Sequence, residues 1–427
     1  MGSAPLSVTR SPPAAPGASA GGSGSPDRQA ITIFAGDVTS PAGYRASGVH
    51  CGLKKSNLDL ALVVSDRPAT VAGVFTRNQV KAAPVLYSQR IVAGGAARAI
   101  VCNSGNANAC TGADGLRDTQ ETAALIADEL GLVSNQVIVA STGVIGVPLD
   151  MAALRRGIPR VVAELGPSGD AAARAILTTD NFPKTCAARV RLGEGEVTIG
   201  GMTKGAGMIH PDLATTLCFL TTDAAVGPEA LHSALVQAVA VSYNAITVDG
   251  DTSTNDSVVV LANGASGVRI DSGTGEYERF VEALSTVALE LAKMIVRDAE
   301  GGTKLIAIRV EGAASDDEAR RAAFTIANSP LVKTAFYGCQ ANWGRILAAA
   351  GRAGVAMDES ACGVWFNDIQ VVRGGLAVGG DLRAAEAEMR KPEVAVRVAL
   401  GVGAGAALVW TSDLTEEYIR INGSYIS

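Results

Sequence analysis

Residues 204–224 read KGAGMIHPDLATTLCFLTTDA, a lysine and a glycine-rich run leading through His210, Pro211 and Asp212 into Ala214, Thr215 and Thr216. A threonine hydroxyl is a weak nucleophile until a base lies beside it. If the bond between Ala214 and Thr215 breaks, Thr215 heads a new chain and its own α-amine, with an ordinary pKa of ~7.8, can act as that base. The same hydroxyl can make the break by attacking the preceding carbonyl, an N-to-O acyl shift followed by hydrolysis. Small Ala214 leaves that carbonyl approachable, and Lys204 can stabilise negative charge or assist proton transfer. A plainer reading competes: a strand entering the core after a tight turn. Ala-Thr pairs are common, and the spacing alone favours the strand.

Acyl chemistry also needs donors fixed toward a developing oxyanion. The stretch ASTGVIGVP (140–148) offers a strand end with the Thr142 hydroxyl and the unobstructed amide of Gly143. It reads equally as a strand-to-helix turn, the simpler account of those residues. Two other motifs fail on their own requirements. GVGAGA (401–406) lacks the spacing of a dinucleotide loop and leads into a strand-like ALVW, so a hairpin turn is expected there. DGDTSTND (249–256) begins like a calcium loop, but Thr254 stands where the glycine belongs and Val260 where the glutamate belongs. The chain has three histidines; His50 reads as a loop residue and His232 as a partly exposed helix residue, so a metal cluster or histidine triad has little material. No metal site is expected.

These residues need a scaffold, and the composition supplies one. Of 427 residues 48% are apolar and 18% charged, enough for a sizeable core. A net charge of −6 without any basic run argues against nucleic acid or an anionic membrane as a partner. Seven widely spaced cysteines, never in C-x-x-C pairs, point to a reducing compartment, and a cytoplasmic location is expected. Residues 1–29 are rich in Pro, Gly, Ser and Ala and read as a disordered tail without a secretory apolar core. No apolar segment reaches the ~20 residues of a membrane span.

From Ile31 onward strand and helix patterns alternate. LDLALVVSD (58–66) and ATVAGVFT (69–76) read as strands broken by a turn at Arg67-Pro68; ARAIVCNSG (97–105), QVIVAS (136–141), SVVVLANG (257–264) and KLIAIRVEG (304–312) also read as strands. Helices are expected over 114–132, 228–243 and 279–300, and the alternation in 396–414 predicts an antiparallel hairpin. No fixed-period repeat appears. The fold class these patterns predict is α/β, with layered mixed or antiparallel sheets against helices.

The midpoint resembles the self-cleavage segment of the ornithine acetyltransferases, also called glutamate N-acetyltransferases, of the cyclic arginine pathway. The likeness extends in family order through NSGNANACTG (103–112), STGVIG (141–146), TTD (178–180), ITVDGDTSTNDS (246–257), RDAEGGTK (297–304), SPLVKTAFYG (329–338), NWGRI (342–346) and DLTEEYIRINGSYIS (413–427). It covers nearly everything from about residue 30 to the end.

The resemblance implies that Thr215 is the nucleophile and that cleavage falls between Ala214 and Thr215, giving an α chain (30–214) and a β chain (215–427). It implies Thr142 and Gly143 as the oxyanion-hole pair, and Thr178 (or its neighbour Thr179), Lys204, Thr215, Glu300, Asn422 and Ser427 as substrate contacts. Cationic Lys204 and anionic Glu300 suit an amino-acid substrate bearing both charges. The implied reaction is ping-pong, moving acetyl from N-acetylornithine to Thr215 and then to glutamate, without metal or nucleotide; acetyl-CoA stands open as a second acetyl donor. The implied fold is that of the DmpA-type self-processing aminopeptidases, with the α and β fragments intertwined and paired into a heterotetramer. Asp212, Leu213, Thr216, Ala299, Gln340 and Ser427 depart from the family's usual residues. They keep in play a paralogous N-acyltransferase of a specialised-metabolite pathway, and an amidohydrolase or aminopeptidase that sends the acyl group to water.

Overall fold

The computed structural model describes residues 31–210, 216–379 and 382–424. The proposed tail, the Ala214–Thr215 junction and Ser427 lie outside the described residues. Within them the chain is α/β with mixed sheets, as the patterns predict.

Nine strands form the main sheet: β1 (Thr32–Phe34), β2 (Tyr44–Val49), β3 (Leu60–Phe75), β4 (Ala96–Asn106), β5 (Val137–Val144), β6 (Lys184–Leu192), β7 (Gly195–Lys204), β8 (Leu217–Thr222) and, further on, Ser257–Ala262. After a short β9 (Ala225–Val226), that last strand is β10. The order is β1-β6-β7-β8-β10-β3-β4-β5, with β2 also paired to β3; β4–β5 and β8–β10 are parallel and the other pairs antiparallel.

The turn expected at Arg67-Pro68 does not form. Leu60–Ser65 pairs with β2 and Thr70–Phe75 with β10 along one edge of β3, so a single strand serves two neighbours in tandem. Against β4 the register shifts between Val64 and Ala69, and Asp66, Arg67 and Pro68 are exposed there. A proline without an amide hydrogen is tolerated at such an irregularity.

Central strands are buried on both faces. In β8, Leu217 and Phe219 join one core while Cys218 and Leu220 join another, and Val259 and Val258 of β10 divide the same way. The first core receives helices α1 (Ala83–Ala93), α2 (Gly112–Leu130), α3 (Met151–Ala163) and α4 (Asp170–Ala175); the second receives α5 (Pro228–Ala240) and α6 (Gly275–Arg297). The α2 stripe is local physics: Thr119, Ala123, Ile126 and Ala127 fall on one buried face, and Gly131 ends the helix in the left-handed conformation at φ 64°. For α6 the start is set by Thr274, whose hydroxyl accepts the amide of Tyr277.

After β11 (Arg269–Ile270), the C-terminal strands β12 (Leu305–Ala313), β13 (Gly363–Phe366), β14 (Ile369–Arg373), β15 (Leu376–Ala377), β16 (Glu393–Ala399) and β17 (Gly405–Thr411) make a six-stranded sheet. It packs on α7 (Asp316–Ala327), α8 (Pro330–Tyr337), α9 (Trp343–Gly351) and α10 (Leu382–Met389), around a third core. The hairpin expected over 396–414 is absent, because β12 lies between its two arms: β16 pairs with β12 in parallel and β17 pairs with it antiparallel. The loop at 401–406 therefore crosses over a strand end. Helix α11 (Glu416–Ser424) follows. Among the described residues no helix is long and apolar enough to cross a membrane.

Candidate active site

Lys204 is the last residue of β7 and pairs with Leu217, the first of β8, so the glycine-rich run from Gly205 leaves the sheet at this strand end. Thr142 and Gly143 lie at the far end of β5. Five strand-to-strand steps separate β7 from β5 in the sheet order, about 24 Å if the sheet were flat. Yet Lys204 Nζ donates to Thr142 Oγ1 at 3.2 Å and to Thr178 Oγ1 at 2.8 Å. The sheet folds back on itself, and the lysine bridges the fold.

The result is a cleft that gathers Thr142, Gly143, Thr178, Thr179, Lys204, Glu300 and Asn422. The Thr142 and Gly143 pair, the lysine, both threonines of TTD, the glutamate and the asparagine all face it. Thr215, Ala214 and Ser427 lie outside the described residues, and the chain resumes at Thr216. The structure brings Thr178, and not Thr179, into hydrogen-bond contact with Lys204.

An ammonium can only donate. The oxygens of Thr142 and Thr178 must therefore accept from Lys204, which leaves each hydroxyl hydrogen to donate elsewhere. For Thr142 that is the role an oxyanion donor requires. Gly143 has φ 133°, and a Cβ there would come within 2.3 Å of the Gly105 carbonyl carbon, so only glycine fits between the two strand ends. Burial pushes the Lys204 ammonium below its usual pKa, and Asp180 acts against that fall.

Asp180, the last residue of the TTD motif, is the strut of the site. Its Oδ2 accepts the amide of Thr178 at 3.0 Å, while Oδ1 accepts the amide of Gly205 and the ammonium of Lys184, both at 2.7 Å. Lys184 in turn bonds Asp298 at 2.5 Å, and Asp298 accepts both Asn181 nitrogens. Burial alone would raise the Asp180 pKa, but Lys204 and Lys184 outweigh it and hold the carboxyl down at about 2. One carboxylate thus ties the Thr178 strap to the residue after Lys204.

At the other wall Glu300, in the turn after α6, accepts the side-chain amide of Asn422 of α11 at 2.7 Å. Its carboxylate lies against Gly207, where a Cβ would come within 2.4 Å. Ser253, Thr254 and Asn255, from the motif set aside as a failed calcium loop, also line the cleft. The signal that could have found them is the density of short polar residues between two strands. Asp249 and Asp256 of that motif accept backbone amides. Among the described residues no cluster of three or more His, Cys, Asp or Glu could hold a metal. His232 is exposed on α5, and His50 sits in a loop 3.0 Å from Asp59.

The likeness to known proteins runs the length of the chain. The arginine biosynthesis bifunctional protein ArgJ of Symbiobacterium thermophilum is 50% identical over 397 residues, spanning 92% of this chain and 99% of that one. Its counterpart from Geobacter sulfurreducens is also 50% identical, over 90% and 98%. Among solved structures, ornithine acetyltransferase from Mycobacterium tuberculosis, complexed with ornithine, is 45% identical with a TM-score of 0.41 over 44% of this chain and 100% of that chain. ArgJ from Bacillus halodurans is 40% identical with a TM-score of 0.47 over 48% and 97%. The ArgJ family model matches residues 45–427. Matched by the family model from residue 45 to 427, and half identical to relatives over nine-tenths of its length, the chain belongs to the ArgJ family.

Proposed function

We propose that this chain is a self-processing N-acetyltransferase of arginine biosynthesis that moves acetyl from N-acetylornithine to glutamate. The observation that carries the reading is the cleft in which a lysine-bound Thr142, Gly143, Thr178, Glu300 and Asn422 converge beside Gly207 and Met208. Family membership and the names of the curated relatives support the pathway.

In this reading Thr215 Oγ attacks the Ala214 carbonyl, and the peptide nitrogen leaves as the new α-amine. Water then opens the ester, giving an α chain ending at Ala214 and a β chain beginning at Thr215. In turnover the α-amine takes the Thr215 hydroxyl proton as Oγ attacks the acetyl carbonyl of N-acetylornithine. That proton passes to the departing ornithine amine, leaving acetyl on Thr215. The amine of glutamate attacks the ester, releases N-acetylglutamate and restores the hydroxyl. Thr142 and Gly143 hold the oxyanion in each addition. Lys204 serves a substrate carboxylate and Glu300 the side-chain amine, with Asn422 and Ser427 as neutral polar contacts.

No metal or nucleotide is part of the proposal. Acetyl-CoA enters it as a second donor to be tested, and the α and β fragments pair into a cytoplasmic heterotetramer.

Intact-mass analysis and N-terminal sequencing of purified protein should find two fragments, the second starting at Thr215, with Thr215→Ala uncut and inactive. Incubation with N-acetylornithine and glutamate should give ornithine and N-acetylglutamate. An uncut chain in active enzyme overturns the processing step, and release of free acetate in place of N-acetylglutamate replaces the transferase with an amidohydrolase.

A further inference from the structure

The stretch 249–256 resembles a calcium loop and cannot be one, yet its two end carboxylates are both engaged. Asp249 Oδ2 accepts the amide of Met208 at 2.6 Å and Oδ1 accepts the amide of Ile209 at 2.8 Å. Two successive amides can face one carboxylate because Met208 adopts a left-handed φ of 57°. The Ile209 carbonyl is held as well, by the Val248 amide at 2.8 Å and the Thr247 hydroxyl at 3.0 Å. The Asp251 amide at 3.4 Å and the Tyr418 hydroxyl of α11 at 3.2 Å add further donors to Asp249.

At the other end Asp256, with no exposed surface, accepts the amide of Thr216 through Oδ1 at 2.9 Å, while the Ser257 amide donates to the Thr216 carbonyl at 2.9 Å. Asp256 Oδ2 has no well-formed hydrogen bond among the described residues, and Ser253 adjoins the carboxyl. The amide that Asp256 holds belongs to the peptide bond between Thr215 and Thr216.

The loop is itself anchored to the oxyanion strand. Asn255 Nδ2 donates to the carbonyl of Ser141, the residue before Thr142, at 2.8 Å and to that of Ala107 at 2.6 Å. The amides of Thr76 and Ala82 bond the carbonyls of Asp256 and Thr254, and the Thr76 hydroxyl bonds the carbonyl of Ser253.

We propose that the loop from Asp249 to Asp256 is a two-point jig for self-cleavage, in which Asp249 grips Met208 and Ile209 and Asp256 grips Thr216, so that both ends of the stretch carrying the cut bond are held by one loop, itself tied to the residue before Thr142. Both aspartates are positioning residues and the inference rests on the self-cleavage reading. Holding a reacting segment near its attack geometry removes entropy from the barrier, and small misplacements cost on the order of a hundredfold.

The two carboxylates make different demands, which gives the test its resolution. Asp256 holds Thr216 through one oxygen, so Asp256→Asn keeps that bond. Asp249 uses both, so Asp249→Asn turns one acceptor into a donor facing an amide hydrogen. Full-length protein is made in a short synthesis pulse and the uncut fraction followed by intact mass, for Asp249→Asn, Asp249→Ala, Asp256→Asn and Asp256→Ala. The same four changes are placed in the Thr215→Ala chain, and urea titration reports whether the uncut form folds.

Both alanine variants should cut roughly 10- to 100-fold more slowly than wild type. Asp256→Asn should cut within about threefold of wild type, and Asp249→Asn should be slow. Where an alanine variant does not fold, the contrast between the two asparagine variants decides. Cutting at the wild-type rate in all four overturns the jig. So does an Asp256→Asn chain as slow as Asp256→Ala, which would make the carboxylate a base. A wild-type chain that never cuts removes the processing reading itself.

Discussion

Two lysines of this molecule are almost equally buried, with 3% of Lys204 and 4% of Lys333 exposed, and in both burial pulls the ammonium below its usual pKa, for Lys333 to about 8. Their partners differ. Lys333, on α8, donates to Thr411 Oγ1 at 3.0 Å and to the Ser412 carbonyl at 2.5 Å, pinning the end of β17. Lys204 donates to two hydroxyls that line the cleft, and the Asp180–Lys184–Asp298 chain stands behind it. Among the described residues neither lysine has a carboxylate at ion-pair distance, so the difference lies in the acceptors. A carbonyl locked in a strand end cannot be exchanged for a substrate, whereas hydroxyls facing a cavity can turn toward one. A shifted pKa alone does not mark a site.

The sharpest way to break this contrast is to replace each ammonium by a thioether of similar length. Lys204→Met should lower kcat/KM by about a thousandfold or more, through loss of a charged contact and of the orientation of Thr142. Lys333→Met should leave the kcat/KM of the cut enzyme within about threefold and lower unfolding stability by roughly 2–4 kcal/mol, since buried acceptors lose their donor. Steady-state kinetics beside urea titration checks both; a Lys333 variant that fails in turnover with normal stability ends the distinction.

The counter-ion chain gives a second, smaller difference. Asp180 titrates at about 2 in the fold, below the ordinary carboxylate value. Its stabilisation is therefore complete above the unfolded pKa near ~3.9 and is lost as pH falls through about 2, amounting to roughly 2 kcal/mol at neutral pH. Asp180→Asn should be less stable than wild type at pH 7 by about that amount, with the gap closing as the acid limb is descended. Urea midpoints measured from pH 7 to pH 2 test it, and a gap that stays constant would take the charge out of the account.

The smallest expected effect lies at the far wall. Glu300→Gln keeps a partner for Asn422 but loses the charge, so the KM for N-acetylornithine should rise about tenfold while glutamate, which brings no side-chain amine, is affected less. N-acetylleucine should be a poor donor to the wild type. Competition between the two donors measures this; equal use of both would return the substrate to the specialised-metabolite alternative.

Much of this was legible in the chain. Helices α2, α5 and α6 show apolar spacing with capping or stop residues at their ends, and β4, β5, β10 and β12 are short apolar runs bounded by small polar residues. The cleft gathers Thr142, Gly143 and Lys204, whose residue types suit acyl chemistry, with Thr178, Glu300 and Asn422, which only the family resemblance points to. Asp180, Asp249 and Asp256 were passed over because their work is to accept backbone amides, and no spacing rule reveals which distant amide a carboxylate will meet.

The sequence by itself determined what depends on neighbours along the chain: the periods of strand and helix, the caps, the failed metal and nucleotide motifs, and the lysine and hydroxyls suited to acyl transfer. Only the tertiary structure decided what depends on pairing between segments far apart. β3 continues through Arg67 and Pro68 because β2 and β10 share its edge, and the arms at 396–414 part because β12 enters between them. Lys204 meets Thr142 because the sheet curls back over about 24 Å of flat-sheet distance. Local pattern sets which residues face inward, but the long-range strand pairing that brings two strand ends together is settled by the packing of whole cores.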